Sequence, residues 1–144
     1  MGIKPKNTIL SSNGKIKKYD KKINFYTLVV KPNFGCSTKY IYSNVLEYKL
    51  TNKIKYLNTA SENKFLELII KDNNDLQQIV IKKYPYIKDI INYIKIQEDC
   101  QLSRITGSGS ACFGLFKSQK TAKLALNRFK LKYPRYWCVT AKTI

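Results

Sequence analysis

The chain has 144 residues and is 44% apolar, the size of one domain with enough hydrophobic side chains for a core, which excludes a disordered polymer. No apolar run approaches the ~18 residues of a membrane-spanning helix, and the lysine-bearing N-terminus lacks the apolar segment of an export signal. The formal charge of +18 favours anionic partners, yet only Arg104, Arg128 and Arg135 of the 27 basic residues are arginines, and the lysines are spread without an aromatic–basic recognition motif.

Residues 1–22 read as an extended lead-in, with Pro5, the "SSNG" tetrapeptide and a lysine-rich run. "INFYTLVVKP" (23–32) is β-branched and aromatic and predicts a buried strand that stops at Pro32. "NFGCSTKY" follows as a loop, and Ser37 or Thr38 can cap a short helix over "KYIYSNVLE". Residues 49–63 carry a weak polar pattern. "ENKFLELIIK" then places Phe65, Leu66, Ile69 and Ile70 at helical spacing. "NNDLQQIVIKKYP" repeats that spacing with Leu76, Ile79 and Val80, capped by Asn74 or Asp75 and ended by Pro85. "YPYIKDIINYIKIQED" predicts another amphipathic helix, with Ile87, Ile90, Ile91 and Ile94 on its apolar face.

The period then changes from helical to alternating. "CQLSRIT" and "ACFGLFK" read as strands around "GSGS", the second with Ala111, Phe113 and Leu115 on one face. "SQKTAKLALNRFKLKYP" predicts a helix capped by Ser118, with Ala122, Leu124, Ala125, Leu126 and Phe129 as its apolar positions; "RYWCVTAKTI" predicts a closing strand. Helices beside hairpin-linked strands argue an α+β class, a small antiparallel sheet with helices packed on one face.

Cys36, Cys100, Cys112 and Cys138 are widely spaced, with no CxxC pair and no histidine in the chain. No metal site is expected from that pattern, and the cysteines read as reduced thiols of a cytoplasmic protein.

The chemistry concentrates in "TGSGSAC", residues 106–112. Gly107 and Gly109 can take positive φ and lack a Cβ, so successive amides can turn inward as an anion-binding nest. Ser108 and Ser110 add hydroxyl donors. A hairpin loop favours the same residues, and spacing alone leaves both readings open. The stretch is neither a P-loop, since no GKS or GKT follows, nor a dinucleotide fingerprint, since GxGxxG is absent.

"SRITGSGSACFGLF" resembles the third motif of the GHMP kinases. The order "NNDLQQIVIKKYPYIKDIINYI", then "CQLSRITGSGSACFGLFKSQKTAKLAL", then "YWCVTAK" resembles the 4-diphosphocytidyl-2-C-methyl-D-erythritol kinase family. "LVVKPNFGCSTKYIYS" is similar to that family's strand and proline–glycine loop. The resemblance covers residues 23–144 and implies a ferredoxin-like C-terminal domain, with 1–22 as a remnant of the region between two domains. It implies an ATP- and Mg2+-dependent phosphotransferase acting on a small molecule that bears cytidine diphosphate, with no membrane partner. The family's glycine-rich ATP loop and its catalytic lysine and aspartate belong to a first half that nothing in 1–144 matches. An inactive fragment whose partner is the missing N-terminal domain is therefore expected, with no catalytic residue and no metal ligand in this chain.

By the same resemblance, Gly107, Ser108, Gly109 and Ser110 cradle phosphate oxygens, and Ser37 and Thr38 border the substrate. Tyr42 falls where the family places an aromatic that stacks on the cytosine ring; its other reading is a core position of the short helix. Asn74, Asp75 and Arg104 read as structural. The charge keeps one alternative of another class, a basic α+β module that binds nucleic acid.

Overall fold

The computed structural model describes residues 7–10, 16–19, 24–46 and 61–143. Strands β1 (Asn7–Leu10) and β2 (Ile16–Tyr19) pair antiparallel as a two-stranded sheet inside the lead-in. The main body runs β3 (Tyr26–Lys31), α1 (Thr38–Ser43), α2 (Glu62–Lys71), α3 (Gln77–Lys83), α4 (Tyr86–Lys95), β4 (Cys100–Ile105), β5 (Cys112–Phe116), α5 (Gln119–Lys132) and β6 (Trp137–Lys142). Most of the polar 49–63 stretch lies outside the described residues.

Four strands form an antiparallel sheet in the order β4-β5-β3-β6. Both β5 and β6 run antiparallel to β3, which lies between them, so they are parallel to each other and α5 is the crossover. This is the split βαβ arrangement of ferredoxin-like folds, and the α+β expectation stands.

Strand alternation sorts the core. Leu28 pairs with Gly114 and Val30 with Cys112, so these side chains share one face with Phe116 and Ile105. On that face they pack with Ile41 of α1, Val80 of α3, all four expected isoleucines of α4, and Ala122, Ala125 and Phe129 of α5. The opposite face is covered in part by α2, whose Leu66 joins Phe25, Leu102 and Leu115 in a second cluster. Phe113 packs against that second cluster, whereas Trp137 stays 58% exposed on β6. Gly114 is required by close approach: a Cβ there would collide with the Cγ2 of Ile94 on α4.

Local chemistry sets the element ends. Ser37, Ser61 and Ser118 each sit at an N-cap with the hydroxyl accepting an orphan amide of the first turn. Helix α1 ends sooner than the pattern predicts, because Ser43 Oγ and Asn44 Nδ2 both donate to Tyr40 O at 3.0 and 2.8 Å. Helix α3 corrects the expected cap. Leu76 occupies that position, and Asn74 instead closes an Asx turn by accepting the Leu76 amide at 3.0 Å. On α5, Leu124 departs from its expected apolar role and is 37% exposed.

Candidate functional site

The site is built where the β4–β5 loop meets the segment that follows β3. Thr106 N donates to Ala111 O at 2.9 Å and closes the loop base, and Gly109 N donates to Thr106 O at 3.0 Å. Gly107 and Gly109 have φ of 55° and 75°, values that only glycine adopts freely, and the Gly109–Ser110 peptide is cis. Among the described residues, the amides of Gly107, Ser108 and Ser110 find no partner. Two successive amides, those of Gly107 and Ser108, are therefore free to donate.

The two loops are tied together by side chains. Ser110 is buried and donates its hydroxyl to Phe34 O at 2.6 Å. Thr38 Oγ1 and Ser108 Oγ lie 3.1 Å apart. Gly109 presses on the same segment, since a Cβ there would lie 3.3 Å from Cys36 Sγ and 3.4 Å from Val80 Cγ1. A Cβ at Gly107 would instead meet nothing within 4 Å, so open space lies in front of this part of the loop.

A second layer holds this arrangement. The Ser37 amide donates to Tyr84 Oη at 3.1 Å, and the Tyr84 ring stacks on Phe34 with centroids 6.4 Å apart. Asn74 Nδ2 donates to Gly107 O at 2.9 Å and to Ile105 O at 3.4 Å. Gln77 Oε1 accepts the Ile105 amide at 3.1 Å. Sequence reading placed Asn74 at a helix cap and gave Gln77 no role. Their partners lie about thirty residues away, and no local pattern announces such contacts.

The structure brings the sequence-predicted residues together unequally. Thr38, Gly107, Ser108 and Gly109 lie together, with buried Ser110 beneath them holding the loop to Phe34. Ser37 caps α1 through its side chain, accepting the Tyr40 amide at 3.3 Å. Tyr42 is 51% exposed, so its core reading is discarded; buried Ile41 fills that role. Tyr42 stands one helical turn beyond Thr38, on the same outward side of α1. Lys83 Nζ rests 4.9 Å over the Tyr40 ring and adds positive charge beside α1.

Other expected residues serve the scaffold. Arg104 Nη2 donates to Ile69 O at 2.6 Å and Ile70 O at 3.2 Å, binding the last turn of α2. All four cysteines are free thiols. Burial pushes Cys112 up to about 12 and Cys100 up to about 11, and raises Cys36 and Cys138 as well, so burial works against the thiolate at each. No helix among the described residues is long and apolar enough to cross a membrane.

Comparison with known proteins agrees with this architecture. The family model described as GHMP kinases C terminal matches residues 57–135. The chain is 42% identical over 144 residues to a 4-diphosphocytidyl-2-C-methyl-D-erythritol kinase of Pelagibacter ubique, covering all of this chain and 50% of that protein. A protein of the same description from Wolbachia pipientis wMel is 37% identical over 129 residues, 90% of this chain and 44% of the relative. The chain thus spans about half the length of the curated relatives it matches.

Among solved structures, homoserine kinase from Cytophaga hutchinsonii superposes with a TM-score of 0.68 at 16% identity, over 95% of this chain and 47% of that one. A 4-(cytidine 5'-diphospho)-2C-methyl-D-erythritol kinase superposes at 0.64 with 20% identity, over 91% and 47%. At those identities the likeness concerns the fold alone. With the family match covering more than half of its length, the chain belongs to the GHMP kinase family, as a C-terminal domain of that family.

Proposed function

We propose that this chain is the substrate- and phosphate-binding half of an ATP-dependent kinase that phosphorylates a hydroxyl of 4-diphosphocytidyl-2-C-methyl-D-erythritol in isoprenoid biosynthesis. The observation that carries the reading is the joined pair of loops. Thr38 and Ser108 touch at 3.1 Å, and the space in front of Gly107 is open. Polar groups from two segments therefore converge on one open surface with unpartnered amides. Such a surface suits phosphate oxygens, which accept hydrogen bonds and carry negative charge. The +18 charge of the chain favours a diphosphate-bearing ligand in the same sense.

In this reading Gly107 and Ser108 present their amides, Ser110 anchors the loop to Phe34, and Gly109 permits the loop's close approach to Cys36. Thr38 supplies a second hydroxyl, and Tyr42 offers a ring on which a cytosine can stack. Phosphoryl transfer breaks the bond from the γ-phosphorus to the ADP oxygen and forms one to the substrate hydroxyl oxygen, whose proton must leave. The catalytic lysine and aspartate belong to the other half of the enzyme. No group of three or more carboxylates, thiols or imidazoles is gathered among the described residues; magnesium bound with ATP would neutralise the charge that develops on the transferred phosphoryl group.

The isolated chain should have no kinase activity, and joining it to the N-terminal half of a related kinase should restore ATP-dependent phosphorylation. Gly107→Val should abolish the restored activity while thermal unfolding still reports a folded protein. Robust phosphorylation by the chain alone, or full activity in the valine variant, would overturn the reading.

A further inference from the structure

The segment Asn74–Gln77 contacts the glycine loop and the end of the strand that leads into it, through polar atoms with specific partners. Asn74 Oδ1 accepts the Leu76 amide at 3.0 Å, which fixes which end of the carboxamide is the donor. Its Nδ2 is thereby aimed at Gly107 O, 2.9 Å away, with Ile105 O at 3.4 Å. In a trans peptide the carbonyl and the N–H of the same unit point in opposite directions. The peptide whose oxygen is Gly107 O has Ser108 N–H as its other end. A carbonyl pulled toward Asn74 therefore turns the Ser108 amide away from Asn74.

The Ile105–Thr106 peptide, two units upstream, shows the same coupling with its outcome visible. The Ile105 carbonyl also faces Asn74, and the opposite end of that unit, the Thr106 amide, donates to Ala111 O at 2.9 Å. Ile105 N is held by Gln77 Oε1 at 3.1 Å. Consecutive peptide units are thus fixed from one side by two side chains of a single short segment. Of the two peptides whose carbonyls face Asn74, Gly107–Ser108 is the one whose N–H finds no acceptor among the described residues.

We infer that Asn74 is a positioning residue: by holding the Gly107 carbonyl it aims the Ser108 amide at the anion that the loop binds. This deepens the phosphate-cradle reading above and rests on it. Asn74 touches no ligand itself and acts through the Gly107–Ser108 peptide. Because the Gly107 carbonyl is held by this hydrogen bond, and a Cβ at Gly107 would meet nothing within 4 Å, a variant that keeps the Asx turn but loses the donor should misdirect the amide without unfolding the domain.

The test is amide NMR on the full 15N-labelled chain, with inorganic pyrophosphate as the ligand, for wild type, Asn74→Asp and Asn74→Ala. Asn74→Asp keeps the acceptor for the Leu76 amide and removes the donor, so it guards against a fold lost with alanine. Without ligand, both variants should shift the Ser108 amide resonance, while α4 amides stay unchanged. With pyrophosphate, wild type should respond at Gly107 and Ser108. Asn74→Ala, which adds no charge, should bind on the order of fivefold more weakly, the effect of one lost hydrogen bond, with the Ser108 response reduced. A Ser108 amide unmoved in both ligand-free variants overturns the Asn74 inference, whatever pyrophosphate does. Equal pyrophosphate affinity in wild type and Asn74→Ala also overturns it. A wild-type loop that ignores pyrophosphate, while its Ser108 amide still depends on Asn74, overturns the cradle reading and with it the anion role of Asn74.

Discussion

Gly109→Ala should destabilise the domain more than Gly107→Ala, although both glycines hold positive φ. The backbone cost is similar for the two, about 1 kcal/mol for an alanine forced into the left-handed region. The surroundings differ. At Gly107 the new methyl enters open space, so the backbone term stands alone. At Gly109 the methyl arrives 3.3 Å from Cys36 Sγ and 3.4 Å from Val80 Cγ1, and Val80 is fully buried and cannot retreat. Overpacking of that kind adds about 1–2 kcal/mol, for a total of about 2–3 kcal/mol. Urea unfolding followed by circular dichroism measures both variants. A double-mutant cycle with Cys36→Ala isolates the steric part, because removing the sulfur should return about 1 kcal/mol of coupling. Equal costs at the two glycines, or zero coupling to Cys36, would refute the close approach of the two loops.

Three further outcomes follow from the scaffold. Arg104→Met should cost about 1–2 kcal/mol by releasing Ile69 O and Ile70 O, and hydrogen exchange should quicken in α2 before other helices. Gly114→Ala should cost about 2 kcal/mol or more in thermal unfolding, because its methyl meets Ile94 under the sheet. The Cys112 thiol, raised from 9.0 to about 12 by burial, sets an alkaline dependence. Above the unfolded value the unfolded chain loses the proton while the native chain keeps it, so stability is full below about pH 9 and falls as pH rises toward 12. Wild type should therefore lose up to about 1.4 kcal/mol per pH unit more than Cys112→Ala in that window, and parallel profiles would show that the thiol does not couple to folding.

Much of the fold was legible because it is periodic. Ile87, Ile90, Ile91 and Ile94 recur at helical spacing, and all four are buried on α4. The strand–loop–strand around "GSGS" is announced by alternation on either side of glycine and serine. The pairing of β1 with β2 was not legible, since four-residue strands are too short for an alternating pattern to stand out in a lysine-rich stretch. The second cluster around Leu66 depends on which side of the sheet α2 reaches, a tertiary fact that spacing does not encode. The site shows the same division. Glycine and serine mark the loop locally, and Thr38 was named from resemblance. Ser108's contact with Thr38 spans 70 residues, and Asn74's contact with Gly107 spans 33. Ser110 was expected to face phosphate through its hydroxyl, whereas that hydroxyl turns inward to Phe34, which only the fold reveals.

The most direct test of the site's location is hydrogen exchange on the chain joined to the N-terminal half of a related kinase, with and without 4-diphosphocytidyl-2-C-methyl-D-erythritol. Protection on binding should concentrate in residues 34–42 and 106–111 of this half. Protection confined to the outer faces of α5 and β6, with the glycine–serine loop unchanged, would contradict the placement of the substrate at that loop.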